Sequence, residues 1–156
     1  MIKVTIPGKQ DLELEHVVFD VNGTLALDGQ LLPGIPDLLN TLKDQVKIHL
    51  LTADTHGKQD EIDRDLNLKA VRVQAGNEAR QKADYVEKLG AKNTVAVGQG
   101  KNDSQMVRTA ALGICILSPE GTSIETLSGS DLVVPNIQSA VEILLNPSRL
   151  RASLRN

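Results

Sequence analysis

The stretch His16-Val17-Val18-Phe19-Asp20-Val21-Asn22-Gly23-Thr24, continuing through Leu25-Ala26-Leu27-Asp28-Gly29, decides how the rest of the chain is read. The apolar run Val17 to Phe19 delivers a carboxylate to the point where the apolar pattern stops, and a glycine follows shortly after. That pattern reads as a buried strand ending in a polar turn. In open α/β sheets, ligands bind in the crevice outside the carboxyl ends of the strands, so Asp20 stands where a reactive group belongs. A strand-end Asp also caps turns, and the assignment therefore depends on partners further along the chain.

Upstream, residues 2–6 and 12–19 have strand composition and are separated by Pro7-Gly8-Lys9-Gln10-Asp11, so an N-terminal β-hairpin is expected. Downstream, Leu25 to Pro33 reads as irregular with a tight turn at Asp28-Gly29. A helix then begins near Pro36-Asp37, with Leu38, Leu39 and Leu42 on one face. Val46 to Leu51 is the next strand and ends in Thr52-Ala53-Asp54-Thr55. A charged helix after Gly57 turns Ile62 and Leu66 inward, Ala70 to Val73 is a short strand, and a helix from about Asn77 to Leu89 carries Lys82 in its first turns. Thr94 to Val97 is a strand that runs straight into Gly98-Gln99-Gly100-Lys101-Asn102-Asp103 and a helix bearing Met106, Val107 and Ala110. The alternation repeats through Leu112 to Leu117, Ile124 to Leu127, Leu132 to Val134 and Ile137 to Leu145. Short apolar strands alternating with helices of about ten residues predict an α/β fold with a doubly wound, mainly parallel, Rossmann-like sheet. Residues 1–156 are read as a single domain, and Pro147 to Asn156 as a frayed, solvated basic end.

Composition narrows the function classes. Phe19 and Tyr85 are the only aromatic rings, so the core must be aliphatic and no platform exists for stacking bases. A net charge of −3 and a pI near 5.6 create no basic field for nucleic acid or anionic lipid, and neither partner is expected. Cys115 sits in an apolar run and reads as a small buried hydrophobe. No stretch resembles a membrane helix or signal peptide, so a cytoplasmic protein is expected.

Strand ends and helix starts now offer Asp20, Thr52, Lys82 and Asp103 in that order. Their chemistry suits phosphoryl transfer: a carboxylate can attack phosphorus, a hydroxyl and an ammonium can bind the transferring oxygens, and hard oxygen ligands can hold Mg²⁺. The Gly98 to Asp103 loop fits neither common nucleotide-binding fingerprint. Asp103 occupies the third glycine position of the dinucleotide pattern, and Asn102 follows Gly100-Lys101 where a P-loop needs Ser or Thr.

These residues resemble the haloacid dehalogenase (HAD) superfamily of phosphohydrolases, and the resemblance covers nearly the whole chain. Its DxDGT motif is matched by Asp20-Val21-Asn22-Gly23-Thr24, its strand-end Thr by Thr52, its Lys by Lys82 and its acidic GDGxND loop by Gly98 to Asp103. Thr52-Ala53-Asp54 and Ala111-Leu112-Gly113-Ile114 are similar to the corresponding segments of the P-type ATPase phosphorylation domain, Glu120-Gly121-Thr122 looks like the segment beyond the fourth loop, and the chain resembles the small soluble P-type ATPase-like proteins. The resemblance implies that Asp20 is the nucleophile, becoming a phosphoaspartate. It further implies that Thr52, Ala53, Lys82 and Asn102 bind the phosphoryl group, and that Asp20, the Asn22 carbonyl, Gln99 and Asp103 hold Mg²⁺.

Two departures from the family pattern matter. Asn22 stands where family phosphatases carry the acid/base Asp, and such catalysis is worth about 10²–10⁴-fold, so slow turnover is expected. Gln99 replaces a metal-binding Asp and brings an amide oxygen without charge. Asn22-Gly23 is also a dipeptide prone to deamidation, which would restore the family acid.

One helix and its loops consume each of the gaps from Asp20 to Thr52 and from Thr52 to Lys82, which leaves no room for the cap domain of many relatives. The expectation is a capless, Mg²⁺-dependent phosphohydrolase or phosphotransferase with an open site. Its substrate would be a phosphorylated small molecule or a phosphoprotein, and a homo-oligomer is one way to cover the site. The alternative is a catalytically impaired phosphate-binding or regulatory module, in which Asn22 and Gln99 have removed turnover but kept the pocket.

Overall fold

The computed structural model describes residues 1–54 and 56–155. Its centre is a six-stranded sheet built from β3 (His16–Asp20), β6 (Lys47–Thr52), β7 (Val71–Arg72), β8 (Thr94–Gly98), β9 (Leu112–Ile116) and β10 (Leu132–Val134). The spatial order is β10-β9-β8-β3-β6-β7, and every pairing is parallel. All five residues of β8 and of β9 are buried, as expected of parallel strands covered on both faces.

The expected N-terminal hairpin is present as β1 (Ile2–Val4) and β2 (Leu12–Leu14), but it is a sheet of its own. The apparent single strand over residues 12–19 breaks at Glu15, whose carbonyl accepts from the Lys47 amide and whose N–H donates to the Asn93 carbonyl. The chain thereby leaves the hairpin and enters the central sheet between β6 and β8. The stretch after Asp20, read as irregular, forms a second small hairpin of β4 (Ala26–Leu27) and β5 (Gln30–Leu31). Asp28 and Gly29 make its turn with φ of 51° and 76°, the positive pair that two-residue hairpins require.

The strand period of two divides the core. Val17 and Phe19 face a large aliphatic cluster with Leu39 and Leu42 of α1 (Ile35–Lys43), Ile62 and Leu66 of α2 (Gln59–Leu66), and Ile137, Val141 and Leu144 of α6 (Ile137–Leu145). Val18 faces the other way, into a cluster with Val86 of α3 (Glu78–Leu89) and Met106 and Val107 of α4 (Ser104–Thr109). Asp20 shares the side of Val18, so its carboxylate is presented to the α3–α4 face.

The C-terminal stretch is not the frayed basic end that its arginines suggest. Pro147–Leu154 forms α7 after α5 (Ile124–Gly129) and α6, and its Leu150 is fully buried in the larger aliphatic cluster. Pro147 supplies the start, because its fixed φ suits the first turn. Leu154, one turn on, packs partly buried against the same cluster, while Arg149 and Arg151 are exposed.

Chain order fixes where the crevice lies. From β3 the chain moves outward through α1, β6, α2 and β7, then returns through α3 to β8 on the opposite side of β3. The connections therefore diverge between β3 and β8, and a ligand crevice opens at the carboxyl ends of those two strands. Asp20 ends β3 and Gly98 ends β8.

Candidate active site

Lys82 explains itself by position on α3. Val86, one turn further along, packs into the apolar cluster behind β3, and a residue four positions earlier lies on the same face nearer the strand ends. The Lys82 side chain is fully buried there, and its ammonium donates to Asp20 Oδ1 and to Asp103 Oδ1, each at 2.7 Å. Thr24, on the turn after β3, donates its hydroxyl to the other Asp20 oxygen at 3.1 Å.

Asp103 is held from every side. Its Oδ2 accepts the backbone N–H groups of Gln99 and Gly100, both at 2.9 Å, while Oδ1 accepts from Lys82. This fold-back needs glycine at position 98, because a β-carbon there would stand 2.6 Å from the Asp103 carboxylate. Asp103 is fully buried and does not line the crevice; its oxygens serve Lys82 and the loop.

The crevice itself is a cavity of about 180 Å³ lined by Asp20, Asn22, Ala53, Gln99, Asn102 and Glu120. Five of these six residues come from the motifs singled out above. Thr52 is buried behind them, its hydroxyl oxygen accepting from Asn22 Nδ2 at 3.2 Å and from the Asp54 amide at 2.9 Å. Asn102 donates its side-chain amide to Glu78 at the start of α3, at 2.9 Å.

Sequence reasoning missed the parts played by Thr24, Glu78 and Glu120. Thr24 lies inside the quoted motif and only its hydroxyl contact needed the fold. Glu120 carried one available signal, a carboxylate in a Pro-Glu-Gly turn just beyond the end of a parallel strand.

The electrostatics follow from one ammonium serving two buried carboxylates. Burial, reinforced by the nearby Asp103 charge, pushes the Asp20 carboxyl from 3.8 up to about 7, although Lys82 and Thr24 act to lower it. Burial alone would lower the Lys82 ammonium, but the carboxylates of Asp20 and Asp103 outweigh it and hold the pKa above the ordinary lysine range. Above about pH 7, where the Asp20 carboxyl ionises, the single Lys82 ammonium serves two carboxyl groups and negative charge builds up at Asp20.

That charge, facing a cavity lined by oxygen-bearing side chains, is the kind of place a hard divalent cation occupies. The fit rests on Gln99. The residue is only 7% exposed, its side chain lines the cavity, and among the described residues that amide has no hydrogen-bond partner. Asp20, the Asn22 carbonyl and the Gln99 amide oxygen form an all-oxygen donor set. Among the described residues, no group of three His, Cys, Asp or Glu side chains is placed to hold a metal ion, in the crevice or outside it, so the donor set here depends on carbonyl and amide oxygens.

No protein-family model matches the sequence. The chain is 37% identical over 93 residues to the uncharacterized protein MJ0073 of Methanocaldococcus jannaschii, covering 57% of this chain and 100% of that protein. It is 32% identical over 108 residues to a probable copper-exporting P-type ATPase of Archaeoglobus fulgidus, a match that spans 68% of this chain and 13% of the pump. Among solved structures, the cobalt-bound deoxy-D-mannose-octulosonate 8-phosphate phosphatase of Haemophilus influenzae superposes with a TM-score of 0.70 at 15% identity, over 90% of this chain and 92% of that one. The 3-deoxy-D-manno-octulosonate 8-phosphate phosphatase of Moraxella catarrhalis, in complex with magnesium, phosphate and KDO, gives a TM-score of 0.64 at 18% identity and 90% coverage of both chains. These two structures establish likeness of fold. The chain thus has the fold seen in haloacid dehalogenase (HAD) superfamily hydrolases, with the motif residues in order at the ends of β3, β6 and β8 and on α3, and it belongs with MJ0073, whose whole length it covers.

Proposed function

We propose that the chain is a divalent-metal-dependent phosphohydrolase or phosphotransferase that acts through a phosphoaspartate on Asp20. The observation that carries this reading is the buried Asp20–Lys82–Asp103 arrangement at the open end of β3. A carboxylate oxygen of Asp20 attacks phosphorus while the bond to the leaving oxygen breaks, so the phosphoryl group passes to Asp20. Lys82 neutralises charge at the attacking carboxylate, and Asp103 orients Lys82. Ala53 and Asn102 present polar backbone and amide groups at the cavity wall. Mg²⁺ held by Asp20, the Asn22 carbonyl and Gln99 would screen the phosphoryl oxygens from the nucleophile. The metal-bound phosphatases that share this fold support the choice of a divalent cation.

Release of phosphate from Asp20 needs a proton acceptor for water, and Asn22 cannot act as one. Its amide instead donates to Thr52. Slow breakdown of the phosphoenzyme follows, which favours transfer or a long-lived phosphorylated state over rapid hydrolysis. The same observation supports the second reading, a phosphate-binding or regulatory module without turnover. Among the described residues, the chain between β3 and β6 forms only the β4–β5 hairpin and α1, which supports the reading of an open, capless site. A phosphorylated small molecule or a phosphoprotein suits such a site.

The deciding experiment measures phosphate release from acetyl phosphate and a panel of phosphomonoesters with Mg²⁺, alongside intact mass. An adduct of one phosphoryl group, present in wild type and absent in Asp20→Asn, establishes the phosphoaspartate. Wild type and Asp20→Asn equally inert, with phosphate still bound, would move the assignment to the binding module.

A further inference from the structure

Glu120 sits in a turn beyond the four motifs, in a stretch to which the resemblance gives no role, and hydrogen bonds hold that turn. The Gly121 amide donates to the Ser118 carbonyl at 2.9 Å, with Gly121 at φ 93°. The Ser118 amide donates to Thr122 Oγ1 at 3.0 Å, and that hydroxyl donates to the Ile116 carbonyl at 3.0 Å. Immediately beyond, the Ser123 amide donates to the carbonyl of Gln99 at 2.9 Å. The loop carrying Glu120 is thus tied to the loop carrying Gln99.

The two side chains meet over Gly23. A β-carbon at that position would collide with the Gln99 side-chain amide and would stand 2.5 Å from Glu120 Oε2. Both groups line the cavity that Asp20 also lines, and they use the space that a glycine leaves open. Gln99 there is more than nine-tenths buried and makes no side-chain hydrogen bond among the described residues. No side-chain N or O atom among the described residues is both sealed from solvent and unpartnered, so the Gln99 amide is open to the cavity and free to meet a ligand there. Beside it stands a carboxylate that no ion pair among the described residues occupies.

We propose that Glu120 is the second carboxylate of the divalent-cation site, standing in for the acidic side chain that position 99 lacks. The donor set is then the Asp20 carboxylate, the Asn22 carbonyl, the Gln99 amide oxygen and the Glu120 carboxylate. All four are hard oxygens, which select Mg²⁺ or Mn²⁺ over softer metals. Glu120 also restores the negative charge lost at position 99, but from a different loop. This inference rests on the metal-dependent reading above and extends it to a residue from β9's trailing loop.

The test is Mn²⁺ binding, read from the electron paramagnetic resonance signal of free Mn²⁺ as the full-length protein is titrated. The variants are Glu120→Gln, Gln99→Asp and the double variant, each checked for unchanged circular dichroism. Glu120→Gln is expected to weaken Mn²⁺ binding by about tenfold or more, within the range for removing a partner from a metal site. The double variant is expected to regain affinity, because the charge returns from position 99. Glu120→Gln binding Mn²⁺ as tightly as wild type overturns the inference while leaving the Asp20 phosphoenzyme assay untouched. Wild type failing to bind Mn²⁺ at millimolar concentration overturns this inference and the metal-dependent reading together.

Discussion

Lys82 donates to Asp103 at the same 2.7 Å at which it donates to Asp20, so one buried ammonium is shared between the nucleophile candidate and a carboxylate that never reaches the cavity. Asp103 thereby fixes where Lys82 points, and the Gln99 and Gly100 amides fix Asp103. Removing Lys82 leaves two buried carboxyl groups with no cation between them.

Lys82→Met keeps the unbranched stem of the side chain and deletes the charged Nζ. Two buried carboxylates then face each other unpaired, and the loss of stability is expected to be about 3 kcal/mol near pH 8. The loss should shrink near pH 4, where Asp20 has taken up a proton. Urea denaturation at both pH values measures it, and an equal loss at both would assign the effect to packing.

Asp20→Asn acts in the opposite sense on stability. The folded pKa of Asp20 is raised from 3.8 to about 7, so between those values the folded state holds a proton that the unfolded chain releases. The cost of the buried charge is absent below about pH 4 and fully present above about pH 7. In chelator, Asp20→Asn is therefore expected to shift the urea midpoint upward near pH 8 and to match wild type near pH 4.

His49 sets a second pH dependence, on the α3 side of the sheet. Its Nε2 lies 3.0 Å from His16 Nδ1 and its Nδ1 lies 3.0 Å from the Tyr85 hydroxyl. Burial, with the charges of His16 and Lys47, lowers its pKa from 6.5 to about 4. The folded state then binds fewer protons than the unfolded one, so this contribution is complete above about pH 6.5 and is lost as pH falls toward 4. His49→Gln is expected to flatten the stability profile across that window in a pH series of denaturant titrations.

Gly113→Ala tests the packing of α4 on β9. A β-carbon at Gly113 would strike the backbone carbonyl of Val107, which cannot swing aside as a side chain can. The expected cost is about 1–3 kcal/mol, visible as a lowered thermal midpoint.

Asn22→Asp supplies the missing acid and base. Phosphoenzyme breakdown is expected to accelerate by about 10²-fold or more, measured as decay of the phosphorylated mass. The same site resists spontaneous deamidation, because the Gly23 amide donates to Ala26 at 2.7 Å and the Asn22 amide donates to Thr52. Cyclisation needs both groups free, so the wild-type peptide is expected to keep the mass of Asn after storage.

Much of this molecule could be read before its structure. The run Val17-Val18-Phe19 marks a doubly covered strand because water is excluded from both faces, and its abrupt end marks Asp20. The regular return of apolar strands and helices specifies a parallel sheet, since parallel strands need long crossovers. Less legible were features that depend on distant neighbours. Glu15 interrupts its strand only because Lys47 and Asn93 arrive beside it, and Leu150 converts a basic end into a helix only because the aliphatic cluster has room for it.

The sequence by itself determined the elements, their alternation and the order of Asp20, Thr52, Lys82 and Asp103, because periodicity and strand ends are local properties of the chain. Only the tertiary structure decided that Asp103 turns to Lys82 rather than to the cavity, and that Glu120 meets Gln99 over Gly23. Those outcomes depend on side-chain direction and on space left by distant glycines, which no local pattern encodes.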